Sequence, residues 1–279
     1  MYICAKIKGL KSLFKINRVD IMEKDIMEKD AFGQVLLNYY KKQPSFEIIE
    51  RDDGHINLSA GGEYYFSTYP TWRKHEKKAI RYVRGRSLDI GCGAGRVLLY
   101  LQDKEIDAEG IDISPLAIKV CKLRGVKNVK LMNIKDIRYL NSNKFDTIIM
   151  FTGGFALFST PNNAKRILKE MYKITSDNGI IIAESRDPYI TNNPIHFRYH
   201  KNNIAKGKIA GQMRVRIRFL QYSTDWINFL LVSKKEMAEI LKGTGWKIKR
   251  FIDSEDFNND GQYIAIINKE KADPLLNRS

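Results

Sequence analysis

The stretch "RSLDIGCGAGR", residues 86–96, places Gly91, Gly93 and Gly95 at alternate positions directly after a short apolar run. The apolar run predicts a buried strand that ends in a tight turn. Glycine in such a turn permits positive φ, and it lets backbone N–H groups approach a ligand at the start of the next helix. We therefore expect a ligand-binding turn after this strand.

Strand and helix patterns alternate from this turn to about residue 185. The alternation predicts a parallel sheet that helices cover on both faces. The expected strands are "SLDIG", "AEGIDIS", "VKLMNI", "FDTIIMF" and "GIIIAES", and "KIKRFID" and "QYIAIIN" are expected to close the sheet near the end of the chain.

The alternation of strands and helices stops after "AESRDPY", where "MRVRIRF" (213–219) and "WINFLLV" (226–232) predict an inserted antiparallel hairpin. We expect a basic extension over 1–30, a single domain over 31–270 with its insertion at about 190–232, and a tail over 271–279. The arginines of "MRVRIRF" have two interpretations. They bind an anionic group of a substrate, or they protect an edge strand from unwanted pairing.

Composition restricts the class of protein. The formal net charge is +16, which favours anionic partners without identifying one. Residues 1–18 form a basic amphipathic pattern, and "IMEKD" occurs twice, at 21–25 and 26–30. No run reaches the ~18 apolar residues of a membrane span. Three cysteines without CxxC spacing argue against a disulfide framework and a structural zinc site, so a cytoplasmic location is expected.

The glycine spacing separates this turn from two better-known phosphate sites. A dinucleotide fingerprint is G-x-G-x-x-G, whereas this chain has G-x-G-x-G and carries Arg96 where the third glycine would fall. No Gly-Lys-Ser/Thr follows, which excludes a P-loop, and a nicotinamide oxidoreductase is disfavoured for the same spacing. Asp112 ends the next strand, where an acid can accept both hydroxyls of a ribose. The pattern indicates a ligand with adenosine but no diphosphate.

At this point the sequence resembles the class I S-adenosylmethionine-dependent methyltransferases of the small-molecule type (type 11/25-like) over about 85–267. The resemblance implies a Rossmann-like seven-stranded α/β sheet of order 3-2-1-4-5-7-6, with the last strand antiparallel and S-adenosylmethionine as cofactor. The matching motifs, in chain order, are "LDIGCGAGR", "EGIDIS", "LMNIKDI", "FDTIIMFTGGFALF" and "ITSDNGIIIAES".

The resemblance also implies roles for individual residues. Asp89 would face the amino group of the methionine moiety, and Asp112 would hold the ribose. Asn133 stands where the family often has Asp, so its amide would meet the adenine. Aromatic residues before the first strand would form a lid over the cofactor. The full expected cofactor set is Tyr65, Trp72, Asp89, Gly91, Cys92, Gly93, Gly95, Asp112, Ile113, Asn133, Ile134 and Phe151.

The methyl acceptor is less constrained by sequence. The segment after the fifth strand supplies four candidate catalytic groups: Arg186, Tyr189, His196 and His200. A histidine there could act as a base. Pro194 and the missing third ligand argue against a metal site at the two histidines. The motif for exocyclic-amine methylation and a cysteine for C5 methylation are both absent. We expect a small-molecule acceptor, with an anionic one left open, and the alternative is an RNA-binding protein or RNA methyltransferase.

Overall fold

A computed structural model describes residues 27–59, 61–140, 144–255 and 261–270. The basic pattern of residues 1–18, the first "IMEKD" copy and the expected tail lie outside these residues. Within the described ranges, no helix has both the length and the apolar character that a membrane crossing requires.

The described residues contain twelve strands: β1 (Glu47–Arg51), β2 (Ile56–Ser59), β3 (Ser87–Ile90), β4 (Ala108–Asp112), β5 (Val129–Leu131), β6 (Phe145–Met150), β7 (Thr175–Arg186), β8 (Gln212–Phe219), β9 (Tyr222–Ser223), β10 (Ile227–Leu230), β11 (Trp246–Asp253) and β12 (Gln262–Lys269). Seven of them form one sheet in the order β5-β4-β3-β6-β7-β12-β11. All neighbours from β5 to β7 are parallel, and β12 is antiparallel to both of its neighbours. The predicted order 3-2-1-4-5-7-6 is confirmed.

Eight α-helices of four or more residues accompany these strands in the described ranges: α1 (Ala31–Tyr40), α2 (Gly62–Tyr65), α3 (Lys74–Ala79), α4 (Arg96–Asp103), α5 (Pro115–Leu123), α6 (Pro161–Ile174), α7 (Pro194–Ala205) and α8 (Lys234–Leu241). Three of them begin with proline directly after a capping residue. Ser114, Thr160 and Asn193 each accept a hydrogen bond from a backbone N–H of the first turn. Proline at this position has its φ already set for a helix and lacks only an N–H that would have no partner.

The large sheet is buried on both faces. Ile148, Ile181 and Ala265 point into a cluster with α6 and α8, while their neighbours Ile149, Ile182 and Ile264 point into a cluster with α4. Successive residues of a strand face opposite sides of its sheet, so strands with continuous apolar runs fit a sheet covered twice. Burying each of these isoleucine side chains contributes about 1.5–3 kcal/mol.

A second, antiparallel sheet has the order β10-β8-β1-β2, with β9 also paired to β8. The expected hairpin at 213–232 is confirmed, since β8 pairs with β10. The sequence did not indicate that this hairpin would join the earlier one, yet β1 pairs with β8 over four residues. Strand β8 is therefore interior, and the interpretation of its arginines as protection of an edge strand is wrong.

Asp30 connects α1 to the large sheet. Its Oδ1 accepts the N–H of Gly33 at 2.9 Å, which caps α1. Its Oδ2 accepts the Ser114 hydroxyl at 2.8 Å and the Leu116 N–H at 3.0 Å, both at the start of α5. One carboxylate thus joins the N-termini of two helices, where its charge is favourable. The domain boundaries, including the one placed after this residue, stay predictions.

Candidate functional site

The glycine turn adopts backbone conformations that residues with a Cβ rarely adopt. The φ angles of Gly91, Gly93 and Gly95 are +73°, +53° and +78°. A Cβ on Gly95 would lie 2.7 Å from Val126, so the turn could not pack here with any other residue. A Cβ on Gly93 would instead lie at ordinary distance from two rings, 3.7 Å from Phe32 and 3.8 Å from Tyr65. The two rings therefore stand over Gly93, separated from its backbone by about the thickness of a methyl group.

Asp112 fixes the end of β4 to this turn. Its Oδ2 accepts the Gly93 N–H and its Oδ1 accepts the Ser114 N–H, both at 2.9 Å. Burial raises the pKa of Asp112, the backbone hydrogen bonds from Ser114, Gly93 and Ile113 oppose that shift, and the charge of Asp30 adds to it. A carboxylate offers about four lone-pair directions, so Asp112 can still accept from a further donor. A pair of adjacent hydroxyl groups is a donor set that fits.

Asp89, at the third position of β3, is 3% exposed. Its carboxylate accepts no hydrogen bond from another side chain among the described residues. Asp89 does not cap the following helix either, because the N-cap residue of α4 is Gly95. Burial raises its pKa to about 7, with the Arg96 charge lowering it and the Asp112 charge raising it further. A buried carboxylate without a partner is costly, and a bound cation would remove that cost.

Arg96, the first residue of α4, is also buried. Its Nη2 donates to Glu76, to the Tyr64 hydroxyl at 3.2 Å and to the Thr152 hydroxyl at 3.3 Å. Burial disfavours ionisation of Glu76, but the adjacent guanidinium outweighs it and the pKa of Glu76 is lowered. The other terminal nitrogen, Nη1, is buried and has no hydrogen-bond partner among the described residues. That N–H pair is therefore a buried cationic donor with no acceptor in the described structure.

Glu184 organises the loop that follows β6. It lies on β7, is 1% exposed, and its Oε2 accepts the Thr152 N–H at 2.6 Å. Thr152 has φ +59°, a left-handed conformation that costs a non-glycine residue of order 1–3 kcal/mol. On the other side, Oε1 of Glu184 lies 3.6 Å from Nε2 of the fully buried His75. Residues of α3, β7 and the loop after β6 are thus joined around one carboxylate.

The remaining members of the expected cofactor set divide between this region and the core. Tyr65 contacts Phe32 edge to face and donates its hydroxyl to Glu47 at 3.4 Å. Trp72 is buried beneath the Arg96 guanidinium, 4.9 Å from the ring centroid. Among the other positions, Cys92, Ile134 and Phe151 are buried, Ile113 is 66% exposed, and Asn133 accepts the Lys135 N–H at 3.0 Å. Their contact with a cofactor stays a prediction.

Two of the four candidate catalytic residues lie together. His196 and His200 are on one side of α7, with ring centroids 6.4 Å apart, and His55 of the β1–β2 turn is 5.2 Å from His196. Thr191 Oγ1 is 3.1 Å from Nδ1 of His196. Burial, and then the positive charge of Arg51, lowers the pKa of His196. A histidine that is neutral near pH 7 can accept a proton.

The other two candidates are exposed at the end of β7. The hydroxyl of Tyr189 donates to Glu236 at 2.8 Å, and burial together with that carboxylate raises its pKa to about 12. Arg186 is the last residue of β7 and its side chain is exposed. No group of three or more possible metal ligands occurs in the described part of the chain.

Sequence reasoning missed several buried charged residues of this region. His75 and Glu76 read as part of a charged helix, and Glu184 as the polar end of a strand. Arg96 was noticed only for its place in the glycine motif. The one available signal was Glu184, a carboxylate in the continuous apolar run "GIIIAES", since an acid in a doubly covered strand needs a partner.

Comparison with known proteins agrees with this architecture. The crystal structure of an S-adenosylmethionine-dependent methyltransferase from Bacteroides fragilis, in complex with S-adenosylhomocysteine, superposes with a TM-score of 0.73 at 22% identity. The alignment covers 87% of this chain and 96% of that one. A methyltransferase from Methanosarcina mazei gives a TM-score of 0.55 at 19% identity, covering 69% and 96%. The fold is that of the class I methyltransferases.

Sequence relatives give a consistent picture. An uncharacterised protein of Methanocaldococcus jannaschii is 30% identical over 201 residues, 66% of this chain and 75% of that protein. Ribosomal RNA small subunit methyltransferase C of Shewanella oneidensis is 32% identical over 142 residues, but these are 48% of this chain and only 38% of the enzyme. A third match, to the putative methyltransferase YqeM of Bacillus subtilis, covers 48% of that protein.

A family model extends over most of the large sheet and over the hairpin that β8 and β10 form. It matches residues 74–260 and is described as methionine biosynthesis protein MetW. The match includes the glycine turn, Asp112 and the loop after β6. The chain belongs to the MetW family and has the fold of the class I S-adenosylmethionine-dependent methyltransferases.

Proposed function

We propose that this protein binds S-adenosylmethionine at the glycine turn and transfers its methyl group to a small-molecule acceptor. The observation that carries the proposal is the pair of incompletely partnered buried charges beside the turn, Asp89 and Nη1 of Arg96. The α-amino acid end of the cofactor is a zwitterion. Its ammonium group would meet Asp89, and its carboxylate would meet Arg96.

The adenosine end would extend along the turn toward β4. Asp112 would accept the ribose hydroxyls through the lone pairs that Gly93 and Ser114 leave free. Gly93 carries no Cβ, so the ligand would lie against its backbone once the Phe32 and Tyr65 rings, which now stand a methyl group away, move aside. An aromatic ring can also favour a nearby cation through its π face. Ile134 and Asn133, after β5, are in the position that the resemblance gives to the adenine contact.

The cofactor supplies a methyl group that is already activated by its sulfonium, so alignment of the acceptor is the protein's main task. Good alignment can contribute about 7–11 kcal/mol. We propose that α7, the β1–β2 turn and the end of β7 hold the acceptor. His196 would take a proton from it where the acceptor is an amine or a hydroxyl, since the pKa of His196 is lowered and its Nε2 makes no hydrogen bond within the described ranges.

Isothermal titration calorimetry with S-adenosylmethionine and S-adenosylhomocysteine tests the proposal. Wild-type protein should bind both, and Asp112→Ala should weaken binding at least tenfold. Asp103→Ala is the matched control, because this acid lies on α4 with 75% of its side chain exposed. If the wild-type protein bound neither compound, or if both variants behaved alike, the assignment would fail.

Methylation of RNA is the second candidate. Its support is the identity to ribosomal RNA small subunit methyltransferase C across 142 residues, together with the net charge of +16. RNA binding that carries function should fall steeply with salt, because phosphate contacts release counterions. Transfer of a radiolabelled methyl group to total RNA, but not to a small-metabolite fraction, would favour this candidate over the first.

A further inference from the structure

One side of the second sheet carries an unusual set of exposed and half-buried side chains, which we name the arginine face. Register places these residues side by side across four strands. The arginine face consists of Ile56 and Leu58 on β2, Ile48 and Glu50 on β1, Arg214, Arg216 and Arg218 on β8, and Trp226 just before β10. The opposite side packs against α1 through residues such as Phe219.

The β2 end of the arginine face is apolar and open to solvent. Leu58 is 70% exposed and Ile56 is 56% exposed. They lie directly opposite Ile48 and Glu50, respectively, so the aliphatic groups form one continuous patch along an edge strand. Single exposed aliphatic residues are common, but a patch that adjoins a cluster of arginines marks an interaction surface.

The centre of the arginine face is basic. Glu50 accepts two hydrogen bonds from Arg216, both at 2.9 Å, and one from Arg218 at 3.2 Å. Arg214 and Arg216 lie over the Trp226 ring, at 5.5 and 4.8 Å from its centroid. Three arginines and one glutamate leave the face with an excess of two positive charges. Since β8 is interior to its sheet, these charges are not needed to protect an edge.

We propose that the arginine face docks the protein on the surface of an anionic lipid bilayer. The β2 aliphatic groups would enter the interfacial layer, the arginines would meet lipid phosphates, and Trp226 would lie at headgroup depth, where its amphipathic ring is favoured. Basic residues gain affinity near an anionic leaflet, and buried apolar area adds to it. The proposed contact is a peripheral one, made by side chains of one sheet face.

The aliphatic patch decides between a lipid surface and a nucleic acid. A single-stranded RNA would use the arginines and stack its bases on an accessible ring. Trp226 is half-buried under two guanidinium groups, and RNA gives no role to Leu58 or Ile56. A bilayer uses all of the arginine face at once.

Co-sedimentation with vesicles tests the proposal on the full chain. The wild-type protein should bind vesicles made of equal parts phosphatidylcholine and phosphatidylglycerol more tightly than vesicles of phosphatidylcholine alone. Removing two arginines in Arg214→Gln/Arg218→Gln should weaken binding about thirty-fold, on the basis of the usual gain per basic residue. Ile56→Ser/Leu58→Ser should weaken it about tenfold or more, since several buried CH₂ groups are lost.

Tryptophan fluorescence gives an independent readout. Trp72 and Trp246 are 3% and 2% exposed, so a blue shift on adding vesicles would come from Trp226, and Trp226→Phe should abolish the shift. Affinity for S-adenosylhomocysteine serves as the folding control for every variant. Unchanged vesicle binding in both double variants overturns the proposal. So does binding of an RNA oligonucleotide that is lost with the arginines but kept in Ile56→Ser/Leu58→Ser, without any lipid-induced shift.

Discussion

Asp89→Asn should remove a pH-dependent penalty from the empty protein. Burial raises the pKa of Asp89 from 3.8 to about 7, and about three units at 1.36 kcal/mol each amount to about 4 kcal/mol. Because the folded pKa is the higher one, the folded protein binds more protons than the unfolded chain between these two values. Stability is greatest below the unfolded pKa and is lost as pH rises through the folded pKa.

The free energy of unfolding of Asp89→Asn lacks this pH dependence. The difference in stability between the variant and the wild type should therefore change with pH. Between pH 5 and pH 8, the free energy of unfolding of Asp89→Asn should rise relative to wild type by about 2.5 kcal/mol, with most of the change complete by about pH 7. Urea unfolding at several pH values measures this difference directly. Asp103→Asn, an exposed acid, is the control and should track the wild type.

Asp89→Asn should bind the cofactor more weakly than the wild type, although the substitution favours the stability of the empty protein. Loss of a hydrogen bond to a charged group costs about 1.5–3 kcal/mol, so S-adenosylhomocysteine should bind Asp89→Asn about 10- to 100-fold more weakly at pH 8. Wild-type affinity should fall below about pH 7, as the Asp89 carboxylate takes up a proton, while that of the variant stays flat. A stability difference independent of pH, or equal affinities at pH 8, would refute the view that Asp89 is an unpaired buried acid awaiting a cation.

Three further outcomes follow from the site. Gly93→Ala should lower stability by about 1 kcal/mol in thermal melts, because the φ angle of Gly93 is +53°. It should also weaken S-adenosylhomocysteine binding by more than this backbone strain accounts for. Unaltered binding would place the cofactor elsewhere. Glu76→Gln should lower the free energy of unfolding in urea by about 3 kcal/mol, since it removes the carboxylate that pairs directly with the buried Arg96 charge, whereas Glu105→Gln at an exposed position should not. His196→Gln should lower kcat and abolish the acidic limb of the kcat/KM profile, a limb that lies below pH 6.5 because the pKa of His196 is lowered; a profile of wild-type shape would remove it as the base.

The sequence was sufficient for those parts of the fold that local patterns encode. Short apolar runs between helical patterns predicted the strands around the glycine turn, and the resemblance to the class I methyltransferases implied their order in the sheet. The union of the two hairpins was not predictable, because nothing near β1 indicates that its partner is β8. Asp89 and Asp112 could be placed by motif. Arg96, Glu76 and Glu184 could not be recognised as a buried cluster, since their side chains meet only after α3, α4 and β7 have packed.

The topology of the second sheet affects the order in which the protein can fold during synthesis. Glu50 and the arginine it pairs with are 166 positions apart, so β1 and β2 must wait for most of the polypeptide to be synthesised before they find their neighbours. A two-stranded hairpin is marginal by itself in water, and distant pairings form slowly. The half of the molecule that would meet an acceptor therefore cannot be completed before β8 and β10 are made, and the large sheet waits longer still, for β11 and β12.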